Sequence, residues 1–308
     1  VIGSPLFIIS NPDLVIAQCK AGVIGSFPCL NAREGEGEPN MLEIWLNKIN
    51  EELDKYNQEN PDNPAAPYAV NHIVHKSNVR LQQDIDICAK WKAPVWITSL
   101  GARPEVNEVA HQANGIVLHD IINNFFAKKA IEKGADGLVA VAAGAGGHAG
   151  TLSPFALIQE IREWFDGPLL LSGSIANGGA VLAAQAMGAD LAYIGSAFIA
   201  TNEANADQRY KEMITESSAD DIVYTNLFTG VHGNYLKGSI EAQGLDPNNL
   251  EVSDSSKMNF SSGASKPKSW KEIWGSGQGI SAVKSILPAS DLVKRINDEY
   301  IKAKKELV

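Results

Sequence analysis

A single histidine stands inside a glycine-rich run that follows an apolar segment of the chain. The run extends from Gly144 to Gly150, and the apolar segment before it covers Gly137–Ala142. Because glycine has no side chain, a flat ring can lie close to such a backbone. The imidazole of His148 can then exchange a proton with a bound molecule near neutral pH. A flexible turn with a solvent-facing histidine is the alternative, and we favour catalysis because strand ends carry function in the fold predicted below.

Two further apolar segments end in glycine and serine, which suits phosphate binding. One ends in Ser-Gly-Ser around Gly173 and the other in Gly195-Ser196, and a possible helix start follows each. Glycine lets backbone N–H groups approach phosphate oxygens, and the first turn of a helix favours negative charge. We therefore predict that Gly173, Gly195 and Ser196 bind a phosphate group. Alternatively, these glycines could be required only by the tight turns between strand and helix.

The other predicted strand ends carry few reactive side chains. No lysine stands at a strand end, which disfavours Schiff-base chemistry. Asp120 is the one carboxylate there, and with scattered histidines it makes a poor metal cage. We therefore predict no metal site and expect a bound cofactor to carry the difficult chemistry.

Eight short apolar runs alternate with amphipathic stretches along the chain. Each run is nearly continuous, which is typical of parallel strands that are buried on both faces. The predicted strands are Val1–Leu6, Val23–Phe27, Tyr68–Ile73, Val95–Leu100, Ile116–His119, Gly137–Ala142, Leu169–Ser172 and Ala192–Gly195. Eight βα units in 308 residues predict an α/β fold of the (β/α)8 TIM-barrel class, with an open doubly wound sheet as the alternative.

One long segment does not follow the βα period. Residues 217–276 are rich in Gly, Asn and Ser and contain only short apolar runs. We predict an irregular excursion after the eighth strand that partly covers the barrel mouth, followed by a C-terminal helix over Pro288–Lys304. Residues 1–308 would then form a single domain.

Charge and cysteine content narrow the possible partners and compartment. The formal net charge of −10 opposes non-specific binding to nucleic acid or to an anionic membrane, although a local site can still attract an anion. Three cysteines without a CxxC pair predict neither a disulfide framework nor a zinc cluster. A reducing, cytoplasmic location is the expectation, and no stretch is apolar enough to span a membrane.

The motifs at the strand ends resemble those of one enzyme family. The segments Gly146–Gly150, Ser172–Ala176, Tyr193–Phe198 and Trp274–Gly279 resemble motifs of the nitronate monooxygenases, once called 2-nitropropane dioxygenases. The resemblance covers essentially the whole chain. It implies a barrel that binds FMN, with His148 as the catalytic histidine.

The resemblance also implies which residues contact the flavin. The ring would be bordered by Pro5, Leu6, Asn71, Gly146 and Gly147. The phosphate would be held by Gly173, Gly195 and Ser196, and Gln278 of the late Gly-Gln-Gly motif would reach the flavin or the substrate. The chain departs from the family pattern at Leu6, where Met is frequent, and at Asp120, where Lys is frequent. We expect His72, His119 and Tyr235 to line the substrate pocket.

The implied substrates are a small nitronate or nitroalkane and O2, and the implied products are a carbonyl compound and nitrite. No nicotinamide is required for that reaction. The alternatives are an FMN-dependent NAD(P)H reductase of quinones or enoyl thioesters, and a flavin-free barrel that binds a phosphorylated ligand. A monomer and a homodimer are both compatible with the sequence.

Overall fold

The computed structural model describes residues 1–33, 40–253 and 272–307, and eleven strands lie in these ranges. The strands are β1 Ile2–Gly3, β2 Gly25–Pro28, β3 Tyr68–Ile73, β4 Val95–Ser99, β5 Ile116–Ile121, β6 Gly137–Val141, β7 Gly147–His148, β8 Leu169–Ser172, β9 Leu191–Ile194, β10 Ile222–Thr225 and β11 Gly233–Leu236. Eight of them, all except β7, β10 and β11, form one sheet.

That sheet is parallel throughout and closes on itself. Its neighbours follow the order β1-β9-β8-β6-β5-β4-β3-β2. The first and last strands meet through a parallel bridge between Ile2 and Ile24, where Gly3 N–H donates to the Ile24 carbonyl at 2.8 Å. The predicted TIM barrel is confirmed, and the open sheet is excluded because no strand of the set is left as a free edge.

Helices alternate with the barrel strands, and asparagine begins three of them. The helices are α1 Pro12–Lys20, α2 Met41–Glu59, α3 Leu81–Lys90, α4 Pro104–Gln112, α5 Asn124–Glu132, α6 Pro154–Arg162, α7 Gly178–Ala186, α8 Ser196–Ile199, α9 Gln208–Glu216, α10 Lys237–Ala242 and α11 Ala289–Leu307. Asn11, Asn123 and Asn177 cap α1, α5 and α7 by accepting a backbone N–H in the first turn.

Residues that alternate along each barrel strand enter two different apolar layers. Ile97 and Leu118 belong to the layer inside the barrel, whereas Trp96 and Val117 belong to the layer between barrel and helices. This period of two follows from strand geometry. It decides which strand-end side chains can reach a ligand at the barrel mouth.

The segment after β9 is more regular than the sequence predicted. Strands β10 and β11 form an antiparallel hairpin, and β11 pairs in turn with β7. The β-branched and aromatic run Ile-Val-Tyr-Thr of β10 is the local signal for a strand. Part of the predicted excursion, residues 254–271, lies outside the described residues.

The predicted C-terminal helix is present as α11 and packs on α7. Gly178 lies at this contact, where an added Cβ would come within 2.0 Å of Tyr300 N, so the two helices approach closely only because the residue is glycine. None of the helices in the described part of the chain is long and apolar enough to cross a membrane.

Candidate active site

A cavity of about 1190 Å³ opens at the carboxyl ends of the barrel strands. That volume exceeds the roughly 300–1,000 Å³ of pockets for one drug-sized ligand, so it has room for a cofactor and a substrate. The structure places most of the predicted site residues on its wall. They are Pro5, Leu6, Asn71, His119, Gly146, Gly147, His148, Gly173, Gly195 and Ser196.

His72, by contrast, lies on the other side of the barrel wall. In β3 the side chains of Asn71 and Ile73 line the cavity, so the residue between them faces the helices. His72 is 1% exposed, and its ring stacks on Trp96 with 4.7 Å between ring centroids. The prediction that His72 lines the substrate pocket is therefore wrong.

Tyr235 and Gln278 are not among the residues that line the cavity. Tyr235 is fully buried, and its hydroxyl interacts with Thr229, which does line the cavity. Gln278 is tied to the histidine loop by its backbone, because its N–H donates to the Gly144 carbonyl at 2.9 Å. Gln278 is exposed, and its side chain packs against Gly144, where an added Cβ would lie 3.0 Å from Gln278 Oε1. Each of the two residues therefore contacts a residue of the wall.

His148 is held by the hairpin of the segment after β9. It lies in β7, where it pairs with Gly233 of β11, and Asn234 Nδ2 donates to the Ala145 carbonyl at 2.7 Å. The Nε2 atom of His148 lies 2.9 Å from Thr229 Oγ1. The glycine-rich loop therefore has a defined conformation, and the imidazole has a fixed partner.

The surroundings of His148 favour the neutral imidazole. Burial lowers the pKa of His148 to about 4, because the charged form loses its hydration in the cavity wall. Thr229 Oγ1 donates to the Val231 carbonyl at 3.0 Å. A hydroxyl has only one hydrogen, so a Thr229 hydroxyl that donates to Val231 can only accept from His148 Nε2.

A row of polar side chains crosses the inner face of the barrel mouth. Asn71 Nδ2 donates to Ser99 Oγ at 2.8 Å, and Ser99 Oγ donates to Asp120 Oδ2 at 2.5 Å. Burial raises the pKa of Asp120 to about 6, against the lowering effect of the Ser99 hydrogen bond. Tyr193 follows on the same wall, and its hydroxyl interacts with Ser4. Sequence reasoning missed Ser99 and Tyr193, although both occupy inward positions of predicted strands.

His119 lies on the cavity wall near the cationic side of the mouth. Its Nδ1 is 2.6 Å from Thr98 Oγ1. Burial, and to a lesser degree the charge of Lys133, lowers the pKa of His119 to about 4. It is therefore neutral at physiological pH and presents a polar surface without charge.

The loop after β1 is strained and is braced by an asparagine that sequence reasoning missed. Ile8 lines the cavity with a φ of +70°, which is unfavourable for a β-branched residue. Asn31 Oδ1 accepts from Ile8 N–H at 2.8 Å, and its amide donates to the carbonyls of Leu6 and Ser10 at 2.9 and 2.8 Å. These bonds hold Pro5 and Leu6 in place at the cavity.

The late Gly-Gln-Gly motif meets the end of β9 at the predicted phosphate site. Gly277 N–H donates to Ser196 Oγ at 2.8 Å, and an added Cβ at Gly146 would lie 2.8 Å from Gly277 N. Because Ser196 Oγ accepts from the protein, its hydrogen remains available for a ligand oxygen, and no described residue accepts it. The N–H groups at the start of α8 lack partners within that helix.

The charge of the cavity is opposite to that of the chain. Among the described residues of the wall, one carboxylate stands against four cationic side chains: Asp120 against Arg33, Arg80, Lys129 and Lys133. The cavity therefore favours anionic ligands in a chain whose net charge is −10.

This arrangement agrees with the family that the sequence resembles. The model of the family described as Nitronate monooxygenase matches residues 1–299. The chain belongs to the nitronate monooxygenase family. It is accordingly an oxidoreductase, and the resemblance found in the sequence is confirmed.

Curated relatives and solved structures extend the comparison. A nitronate monooxygenase of Paraburkholderia phytofirmans is 24% identical over 352 aligned positions, which cover 100% of this chain and 93% of the relative. A nitroalkane oxidase from Streptomyces ansochromogenes has a TM-score of 0.76 at 21% identity and covers 100% of this chain and 97% of its own. FabK from Thermotoga maritima has a TM-score of 0.76 at 20% identity and covers 99% of this chain and 94% of its own. At these identities the structural likeness shows the fold.

The cavity fits the flavin on which nitronate monooxygenases depend. The Oδ1 atom of Asp120 is buried and receives no hydrogen bond from a described residue, so it can accept one from a ring N–H. Both amide hydrogens of Asn71 are donated within the protein, which leaves its oxygen for a ligand. The residues present thus offer complementary groups for a polar ring edge and, at Ser196, for a phosphate.

Proposed function

We propose that this protein is an FMN-dependent nitronate monooxygenase that oxidises alkyl nitronates with O2 to carbonyl compounds and nitrite. The overall reaction balances without a reductant, because two nitronate anions and one O2 contain the atoms and charge of two carbonyl compounds and two nitrite ions. The observation that carries the proposal is the position of His148 on the wall of a cavity whose charged side chains are mostly cationic, where burial lowers the pKa of the imidazole to about 4.

The positions of the residues support the proposed binding roles. Gly173, Gly195 and Ser196 would hold the FMN phosphate, while Gly146 and Gly147 would lie against the ring. Pro5, Leu6 and Asn71 would border the ring on the side of β1 and β3. Bound FMN would supply electron transfer between the substrate and O2.

His148 would control the protonation of the substrate carbon. In the free protein its pKa is about 4, so the imidazole is neutral at neutral pH and would take the α-proton of a nitroalkane. The nitronate formed beside it is an anion, which raises the pKa of the adjacent imidazolium and lets His148 keep the proton. Thr229 would hold the ring in this orientation through Nε2.

The cationic wall would bind the nitronate oxygens. A nitronate has its charge on the two oxygens of the former nitro group, and lysine and arginine attract such a group in a partly desolvated cavity. Lys129 and Lys133 lie on the wall beside Phe126, which provides an apolar surface for the alkyl chain. The same side chains would exclude cationic substrates.

The test is to purify the protein, record its visible spectrum and supply propyl nitronate in air. A yellow protein that consumes O2 and releases nitrite, and that NADH does not bleach under anaerobic conditions, is the expected result. A yellow protein that NADH bleaches and that leaves nitronate unchanged would establish a reductase instead. A protein that stays colourless after addition of FMN would refute the cofactor assignment.

A matched pair of histidine variants tests the catalytic assignment. His148→Ala should still bind FMN but lose most of its turnover. His111→Ala is the control, because His111 lies on α4 and pairs with Asp136 at the surface. Full turnover in His148→Ala would remove this histidine from the mechanism.

A further inference from the structure

Two of the three cysteines meet a histidine behind the barrel wall. Cys29 follows β2, His72 belongs to β3 and Cys88 belongs to α3, so sequence spacing gives no sign of the cluster. All three side chains are at most 1% exposed. Cys29 and Cys88, like the outward-facing His72, are absent from the wall of the active-site cavity, so the proposed oxidation does not use the cluster.

The three donor atoms have the spacing of metal ligands. Cys29 Sγ lies 3.7 Å from Cys88 Sγ and 3.9 Å from His72 Nε2, and all three atoms lie within 4.8 Å of one another. Two sulfurs bound at about 2.3 Å in tetrahedral geometry are about 3.8 Å apart, and a sulfur and an imidazole nitrogen about 3.5 Å apart. One ion could therefore bind all three atoms after a small contraction.

Hydrogen bonding gives the histidine only weak support in this position. The Nδ1 atom of His72 is buried and has no hydrogen-bond partner among the described residues, whereas buried polar atoms are nearly always paired. Its Nε2 atom reaches only the sulfur of Cys29, at 3.9 Å. A ligand at Nε2 would give this buried imidazole the strong interaction that it lacks.

The charges also suit a divalent cation. A divalent ion and two thiolates sum to zero charge, which lowers the cost of burial. Asp84 precedes Cys88 by one turn of α3, is bonded to Arg80 at 2.9 Å, and its charge acts on His72.

We propose that Cys29, His72 and Cys88 form a structural site for one zinc-class divalent ion, separate from the active site. Thiolate and imidazole are the ligands that zinc prefers, and carboxylate-seeking ions such as Mg²⁺ would be rejected. Binding converts two thiols to thiolates and releases two protons per ion. The ion would tie β2 and β3 to α3 and so stabilise the side of the barrel that holds Asn71.

Cobalt substitution in the reduced full-length protein tests the site. One equivalent of Co²⁺ should produce the sulfur-to-metal charge-transfer absorption of thiolate ligation, and competition with Zn²⁺ should remove it. Cys88→Ala and His72→Gln should weaken Co²⁺ binding by more than the roughly 10–100-fold that loss of an outer-shell partner costs. Metal should raise the unfolding temperature of the parent protein but not that of these two variants.

Cys19→Ala is the matched control, because Cys19 is also buried but its sulfur bonds to the Pro67 carbonyl and the Gly25 N–H. This variant should bind Co²⁺ as the parent does. Absence of thiolate absorption in the parent, or unchanged affinity in both cluster variants, would overturn the proposal. A Cys29–Cys88 disulfide in the freshly purified protein, detected as a loss of two hydrogens by mass spectrometry, would also overturn it.

Discussion

Thr229 Oγ1 lies 2.9 Å from Nε2 of His148, although 81 positions separate the two residues in the chain. Thr229 belongs to the hairpin region after β9, and that hairpin also pairs with β7 at His148. The segment after the barrel therefore contributes to the cavity wall and holds the imidazole in place. Tyr235 contacts the same hydroxyl from behind the wall.

Replacement of Thr229 by valine should impair turnover without removing the flavin. Valine has a similar shape but cannot accept the hydrogen of His148 Nε2, so the ring loses its preferred tautomer and orientation. We expect kcat for nitroalkane oxidation to fall by roughly 10–100-fold, with the KM and the Kd for FMN nearly unchanged. Steady-state kinetics and a flavin titration measure these quantities.

Two variants distinguish a loss of ring orientation at His148 from a general effect of the substitution on folding. Thr229→Ser restores the hydroxyl and should recover most of the lost kcat. Thr215→Val is the control on α9, where the hydroxyl donates to the Glu212 carbonyl and should not affect kcat. Equal losses in Thr229→Val and Thr229→Ser would mean that packing, and not the hydrogen bond, is what matters.

The pH dependence should reveal the depressed pKa of His148. In the proposed mechanism neutral His148 is the base, so kcat/KM for a neutral nitroalkane should fall as pH decreases and the ring becomes protonated. Because its pKa is about 4, activity should persist well below pH 6.5 and fall towards pH 4. The Asp120→Asn variant removes the titration of the wall carboxyl, whose pKa is about 6, from the profile. A midpoint near 6.5 in that variant would contradict a buried, neutral His148.

Local patterns in the sequence were sufficient to predict the barrel. Continuous apolar runs identified all eight strands. The sequence Asn-Pro-Asp at Asn11 is typical of a helix start, and α1 begins there. Ser77 also has the residue type of a helix cap, but it bonds His75 at 2.8 Å and α3 begins only at Leu81. A serine can satisfy a side chain nearby as easily as a helix N-terminus, and the sequence does not distinguish the two.

The glycine loops of the site were predictable from the sequence. The side of the barrel wall to which each side chain points was not. His72 and Asn71 are adjacent, yet the period of two in β3 sends them to opposite sides of the wall. The partners of His148 and of the loop after β1, Thr229 and Asn31, are distant in sequence and ordinary in type. Only the closure of the barrel and the pairing of β7 with β11 bring them to the site.

Asp120→Asn should stabilise the protein at neutral pH. The folded-state pKa is raised from 3.8 to about 6, so the native state holds a proton that the unfolded state has lost between these values. Stability therefore falls as pH rises from about 4 to 6, by up to about 3 kcal/mol. Above pH 7 the amide should raise the unfolding midpoint by roughly 2–6 °C. Thermal unfolding followed by circular dichroism measures this difference.

The same experiment needs a pH series and a surface control. The stabilisation of Asp120→Asn should disappear near pH 4, where the carboxyl of the parent protein is itself protonated. Asp62→Asn, at an exposed position in the loop before β3, should leave the midpoint unchanged at every pH. If Asp120→Asn is destabilising at pH 8, the ionised carboxylate must be favourable in the folded protein.

Asn31→Ala should weaken flavin binding although Asn31 does not line the cavity. The change removes three hydrogen bonds that hold the strained loop around Ile8, each worth about 1 kcal/mol, and frees Pro5 and Leu6 to move away from the ring. We expect the Kd for FMN to rise by about tenfold or more, as measured by fluorescence quenching during titration. Asn60→Ala is the control, because that side chain bonds only Tyr56 at the end of α2. An unchanged Kd in Asn31→Ala would show that the loop keeps its conformation without this brace.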